Sequence, residues 1–242
     1  MNTCKSILAF ALLVTTTSQT YAQWGWNKVE GNGDITTKTI TTETYDEIKA
    51  IGSIDVHLMS GTEGNISVTT DANLQEYVEI EVSGNTLKIK LQKNISVKTR
   101  HGIHVTVPFT EVSAISLTGS GDVDTKDAIK GDFLEVSVTG SGDITLMVDT
   151  NSIESTTTGS GDITLNGKTN NLKVNVTGSG DFRGFELEAN NTKATVSGSG
   201  DAKVVAKQSL TARVNGSGDI TYKGNPERSD TKTSGSGDIS SF

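Results

Sequence analysis

One tetrapeptide governs what this chain can become. Gly-Ser-Gly-Asp occurs seven times and places aspartates at Asp122, Asp143, Asp162, Asp181, Asp201, Asp219 and Asp238. The intervals between them are 21, 19, 19, 20, 18 and 19 residues. A globular core has no reason to repeat at a fixed interval. A solenoid does, because each repeat is one supersecondary unit that buries its apolar face only against the next copy.

Counting from each aspartate gives the sides of the coil. The residue just after it is Val123, Ile144, Ile163, Phe182, Ala202, Ile220 or Ile239. Five positions before it stand Leu117, Val138, Thr157, Val176, Val196, Val214 and Thr233, and seven before it Ile115, Val136, Ser155, Val174, Ala194, Ala212 and Thr231. Side chains two apart share one face of a strand, so a half-buried strand enters each corner and another leaves it. Polar turns such as Gly224-Asn225-Pro226 close the repeat. The expected fold is all-β: a parallel β-helix of about 19 residues per coil, right-handed by the crossover rule for parallel strands, with rungs about 4.8 Å apart. Ser155, Thr157, Ala194, Ala212 and Thr231 at inward positions predict a narrow core, so stability accumulates over many coils.

The corner has its own logic. A sharp bend between strands calls for positive φ, which glycine adopts without a Cβ clash, and an aspartate carboxylate accepts nearby backbone N–H groups. Gly119, Gly121, Gly140, Gly142, Gly159, Gly161, Gly178, Gly180, Gly198, Gly200, Gly216, Gly218, Gly235 and Gly237 are therefore read as structural corners.

Upstream the repeat degenerates without vanishing. Gly31-Asn32-Gly33-Asp34 and Gly52-Ser53-Ile54-Asp55 echo the corner, and alternating runs flank Ser83-Gly84-Asn85 as a β-hairpin. Residues 34–110 are expected to form degenerate coils that cap the regular repeats of 111–242, the two making one domain over 34–242. Residues 23–33 are expected to be a flexible lead-in. Residues 1–22 have the layout of a cleaved signal peptide: Lys5, an apolar run from Ile7 to Val14 too short to span a bilayer, and a small-residue site at Thr20-Tyr21-Ala22. The single cysteine, Cys4, precedes that run, where it does not suit a lipid anchor. An exported chain with no later cysteine has neither disulfides nor thiolate metal sites.

Composition narrows the function. A formal charge of −8 gives no basic footprint for nucleic acid, and 5% aromatic residues leave no broad sugar-stacking platform. Seven carboxylates on one edge repel by about 0.9 kcal/mol per neighbouring pair in water. Backbone N–H groups, serine hydroxyls and solvent can offset this, and calcium at Asp122, Asp143, Asp162, Asp181, Asp201 and Asp219 is the alternative. The known calcium solenoid repeats every nine residues, so no cofactor is required here. His101 and His104, three apart, fall on opposite faces of a strand, which disfavours a shared metal site; His57 completes an ordinary surface set. A glycosidase needs two carboxylates in different environments, and a repeat supplies many in similar ones, so no catalytic residue is assigned. Trp24 and Trp26 suit a tail, a sheet-end cap or an adhesive tip.

The segment Asp46-Glu47-Ile48-Lys49-Ala50-Ile51-Gly52-Ser53-Ile54-Asp55-Val56, the run 71–82, the strands Thr86-Leu87-Lys88-Ile89 and Val105-Thr106-Val107-Pro108, and then serial Gly-Ser-Gly-Asp corners together resemble the head GIN domain family of adhesins in Gram-negative bacteria. The resemblance implies an exported β-helical protein in the periplasm, on the outer surface or secreted, with an adhesive role. With only four residues after Asp238, the chain has no room for a membrane barrel of its own. The reading is a non-enzymatic cell-envelope binding module for glycans or extracellular and envelope proteins, without nucleic acid or a transmembrane segment. A carbohydrate-active enzyme on a β-helix is the first alternative. The second is a self-assembling scaffold, a homo-oligomer joined through the open edge after the last repeat.

Overall fold

The structure is a computed structural model that describes residues 27–242; the expected signal peptide, Trp24 and Trp26 lie outside the described residues. Apolar residues at alternate positions, punctuated by glycine, give strands throughout. The one helical turn among the described residues is Gln75–Tyr77. From Ala114 onward equivalent residues stack in parallel register: Ala114–Gly119 on Val123–Gly140, then Ile144–Gly159, Ile163–Gly178, Leu187–Gly198, Ser209–Gly216 and Arg228–Gly235. The residues leaving each corner stack likewise, from Val123 through Ile144, Ile163, Phe182, Ala202 and Ile220 to Ile239. The result is a β-solenoid of about seven turns. The one 21-residue interval is absorbed by a bulge, since Asp124 pairs with Thr145 but Ala128 pairs with Met147.

The core is the ladder of inward side chains. Leu117, Val138, Thr157, Val176, Val196 and Val214 are all buried, as are Val123, Ile144, Ile163, Phe182, Ala202 and Ile220. Some inward positions are polar: Thr125, Thr150, Thr169 and Thr192 are buried, and Ser155 and Thr157 are each 1% exposed with hydroxyls that have no hydrogen-bond partner. Thr231 and Thr233 occupy inward positions of the last rung, Arg228–Gly235, which is exposed along its whole length.

Two neighbouring glycines need glycine for different reasons. Gly178 has φ of 117°, a left-handed conformation that favours glycine, and the first glycine of every other Gly-Ser-Gly-Asp corner behaves likewise. Gly180 does not. It is absent from the positive-φ set, and so is every second glycine, which corrects the expectation that both bend the chain. What it requires is space: a Cβ there would fall within 3.0 Å of the Gly161 backbone of the rung above. The second glycine is needed for stacking alone, whereas the first both turns the chain and leaves room, since a Cβ on Gly178 would fall 2.3 Å from the Gly159 carbonyl oxygen.

The amino-terminal strands cap the solenoid, but not in chain order. Glu47–Gly52 and Asp55–Ser60 form a coil in register with the regular ones, Gly52 opposite Gly119 and Val56 opposite Val123. On the other side of this coil lie Thr86–Leu91 and His104–Phe109, later segments that pair parallel with it. Residues 47–60 are thus inserted between two coils that both follow them in sequence. Antiparallel strands finish the end: Val78–Ser83 against Thr86–Leu91 through the expected hairpin, and Ile35–Thr41 against Asn65–Asp71, which itself pairs with His104–Phe109. Tyr45 is buried beneath this end and donates its hydroxyl to the Pro108 carbonyl; burial pushes its phenol well above the ordinary range.

Two expectations fail here. Asn27–Glu30, placed in a flexible lead-in, forms a strand that pairs with Ile95–Lys98. Gly31-Asn32-Gly33-Asp34 is not a rung of the corner column. Its Gly33 N–H instead donates to the buried Asp71 carboxylate at 2.6 Å, because the strand that follows runs antiparallel to Asn65–Asp71.

Candidate binding face

The corner is the most regular surface of the molecule. Asp122, Asp143, Asp162, Asp181, Asp201 and Asp219 fall in one column, joined by Asp238 at the carboxy-terminal end and by Asp55, recovered from the degenerate part. Oδ1 of each accepts the backbone N–H of the next aspartate down the stack, from Asp122 on Asp55 to Asp238 on Asp219, at 2.7 to 3.1 Å. The carbonyl of each first glycine accepts two N–H groups of the next rung, as Gly159 does from Ser179 at 2.8 Å and Gly180 at 3.1 Å. Fixed amide dipoles thus face every carboxylate from Asp55 to Asp219, which offsets the repulsion within the column. Arg183 adds a bridge, its Nη2 lying 2.7 Å from Asp162 Oδ2 and 3.3 Å from Asp181 Oδ2.

Beside the aspartates run two hydroxyl columns. Ser120, Ser141, Ser160, Ser179, Ser199, Ser217 and Ser236 are all exposed at the tip of the corner. On the outer side of the entering strand, Thr118, Thr139, Thr158, Thr177, Ser197, Asn215 and Ser234 stand in register, with Ser116, Ser137, Thr156, Asn175 and Thr195 two residues back. In the sequence these columns are signalled by Thr-Gly-Ser before Gly-Asp in the first four corners, with Ser197, Asn215 and Ser234 taking the threonine position in the last three. The opposite bend carries an asparagine ladder, Asn190 to Asn170 and Asn170 to Asn151, both at 2.8 Å.

Several acidic side chains outside the column are individually paired. Asp71 is 2% exposed, and Thr99 donates to its Oδ2 while Gly33 donates to its Oδ1. These hydrogen bonds hold its carboxyl below the usual range. Lys90 does the same for Glu81, and Arg213 for Asp230. Of the aromatic residues, Tyr45 and Phe182 are core, Phe133 is half-exposed, and Phe185 packs edge-on against Phe242 under the Lys223 ammonium. The histidines depart from expectation: His101 and His104 share no face, but His104 stacks on His57 of the adjacent strand, centroids 5.3 Å apart.

A parallel solenoid with a serial Gly-Ser-Gly-Asp corner, capped by antiparallel strands, places the chain in the class of all-β repeat proteins. Residues 44–226 match the family described as "Putative auto-transporter adhesin, head GIN domain", and the chain belongs to that family. Several solved structures share the fold. A "putative adhesin" of Bacteroides fragilis is 23% identical with a TM-score of 0.81, aligning 88% of this chain with 100% of that one. A "putative lipid binding protein" of Parabacteroides distasonis is 29% identical with a TM-score of 0.74, over 89% of this chain and 99% of that one. A "putative adhesin" of the same species is 27% identical, also at 0.74, over 89% and 100%. No curated protein matches the sequence. No helix among the described residues is long and apolar enough to cross a membrane.

Proposed function

We propose that this chain is an exported, non-enzymatic binding module of the cell envelope whose ligand lies along the solenoid axis on the corner strip. The carrying observation is the alignment of exposed Thr, Ser and Asp columns, repeating at one strand spacing over successive rungs. Such a strip offers donors and acceptors at a fixed short period, which suits an extended polymer with its own repeating hydroxyls, such as a glycan. Affinity then comes from many weak, equivalent contacts rather than from one pocket.

The test is binding of the purified chain to a panel of glycans and matrix proteins, with calcium and with chelator. Substitution of Thr139, Thr158 and Thr177 by lysine, singly and together, is expected to weaken binding in graded steps. Loss of all binding or turnover on changing a single carboxylate pair would favour a carbohydrate-active enzyme instead. Loss with chelator alone would bring calcium to the corner aspartates.

A further inference from the structure

The outer face of the amino-terminal coils holds a histidine pair with an unusual hydrogen-bond problem. His57 Nδ1 lies 2.7 Å from Asp124 Oδ2, and His104 Nε2 lies 2.8 Å from the His101 carbonyl oxygen. A carboxylate and a carbonyl only accept, so both of these outer ring nitrogens carry hydrogen. In two neutral imidazoles, that leaves His57 Nε2 and His104 Nδ1 as bare lone pairs. These two nitrogens face each other at 3.1 Å. Two lone pairs at hydrogen-bond distance repel, and either a proton shared between the rings or a metal ion between them relieves the conflict.

We propose that His57 and His104 form a binding site for a divalent transition ion of the zinc class. Zinc accepts imidazole nitrogen at about 2.0–2.1 Å in tetrahedral geometry, which sets two ligating nitrogens about 3.3 Å apart. The pair is already close to that separation. The orienting groups around it are those that metal-binding histidines use: each ring's remote N–H is held by a carboxylate or a backbone carbonyl, which fixes the tautomer with the metal-facing nitrogen free. Asp55 Oδ2, 3.7 Å from His104 Nδ1, is the third ligand within reach. Among the described residues no three such side chains already converge on one point, so Asp55 must rotate inward and water completes the set. Both rings are 41% exposed, which admits the ion from solvent and makes it exchangeable.

The strands explain why these residues meet. Asp124, His57 and Thr106 are successive partners across three adjacent strands, and His104 lies two residues from Thr106, opposite Asp55. The site exists only because the coil of residues 47–60 is inserted beside His104–Phe109. It is separate from the hydroxyl strip, although Asp55 also heads the aspartate column.

The test is calorimetric titration of the purified chain with zinc chloride, alongside His57→Gln and His104→Gln, which keep side-chain bulk at half-exposed positions. One ion per chain is expected at the pair, with affinity falling at least tenfold in each variant. Asp124→Asn is expected to weaken binding by about tenfold while leaving the stoichiometry unchanged. Nitrogen NMR of the imidazoles gives a second readout: zinc should shift His57 Nε2 and His104 Nδ1 and leave His101 in place. Zinc uptake that is the same in the variants as in the parent chain, or no shift at those two nitrogens, would overturn the proposal and leave the pair bridged by a proton only.

Discussion

Gly180 and Gly52, from two different corners, allow steric exclusion and conformational strain to be separated. Gly180 has an ordinary φ, so Gly180→Ala would be nearly neutral if backbone angle were all that mattered. The stack says otherwise: the new Cβ meets the Gly161 backbone and Thr157 Cγ2, and the rungs must part locally. Parting stretches the bonds from Ser179 and Gly180 to the Gly159 carbonyl and from the Asp181 N–H to Asp162 Oδ1. With neutral bonds at about 0.5–1.5 kcal/mol and the charge-assisted one at about 1.5–3, partial loss of the three costs roughly 2–4 kcal/mol. For a chain of this size that is roughly 5–15 °C in melting temperature. Gly52→Ala is the complementary control. Its φ is 106° and nothing lies within 4 Å of the added Cβ, so only strain of about 1–3 kcal/mol applies. Gly178→Ala combines both effects and should exceed either. Repeat arrays depart from two-state unfolding, so denaturant melts are to be paired with amide exchange, which should show lost protection centred on the two rungs flanking Gly180. A Gly180→Ala chain within about 0.5 kcal/mol of the parent, with unchanged protection, would refute steric exclusion as the reason for the second glycine.

Thr157→Val removes a buried hydroxyl without a partner and keeps the side chain's shape, so it should stabilise by about 1 kcal/mol in denaturant melts; a loss would mean that the hydroxyl is paired in solution. Asp162→Ala should speed amide exchange at Asp181, whose N–H loses its acceptor, while the Asp162 amide, still bonded to Asp143, keeps its protection. The Asp71 carboxyl is depressed on folding, so its contribution is fully present above the ordinary carboxylate range and is lost as pH falls through its lower folded value. Melts from about pH 6 to about pH 2 should show that loss in the parent chain, and Asp71→Asn should flatten it.

Much of this was legible because the register of a repeat is counted along the chain. The inward ladder from Leu117 to Val214, the aspartate column and the Ser83-Gly84-Asn85 hairpin needed only local spacing and period two. The spacing of Gly52-Ser53-Ile54-Asp55 sufficed as well, since it matches a rung even with Ile54 at the second glycine position. What failed depended on which strands become neighbours. Gly180 was given the right residue and the wrong reason, because its constraint comes from Gly161 in the next rung. The pairing of His57 with His104 was hidden, since 47 residues separate them and chain order does not follow stacking order there. Asp71 carried no signal at all; its partners, Gly33 and Thr99, come from distant segments.

The inserted coil also dictates the order in which the molecule can assemble. A chain emerging amino terminus first delivers residues 47–60 before either neighbouring coil exists, so that segment waits with both edges unpaired until 86–109 and then 114–125 arrive on its two sides. Only after that three-layer block closes does each further stretch of about 19 residues find a finished template beneath it. A chain folding as it emerges should therefore be slow to close this block and quicker to add each rung after it, whereas a full-length chain can also nucleate among the regular rungs. A substitution in the block should delay this emerging route most, and one near the last rung should act only on its neighbouring rungs.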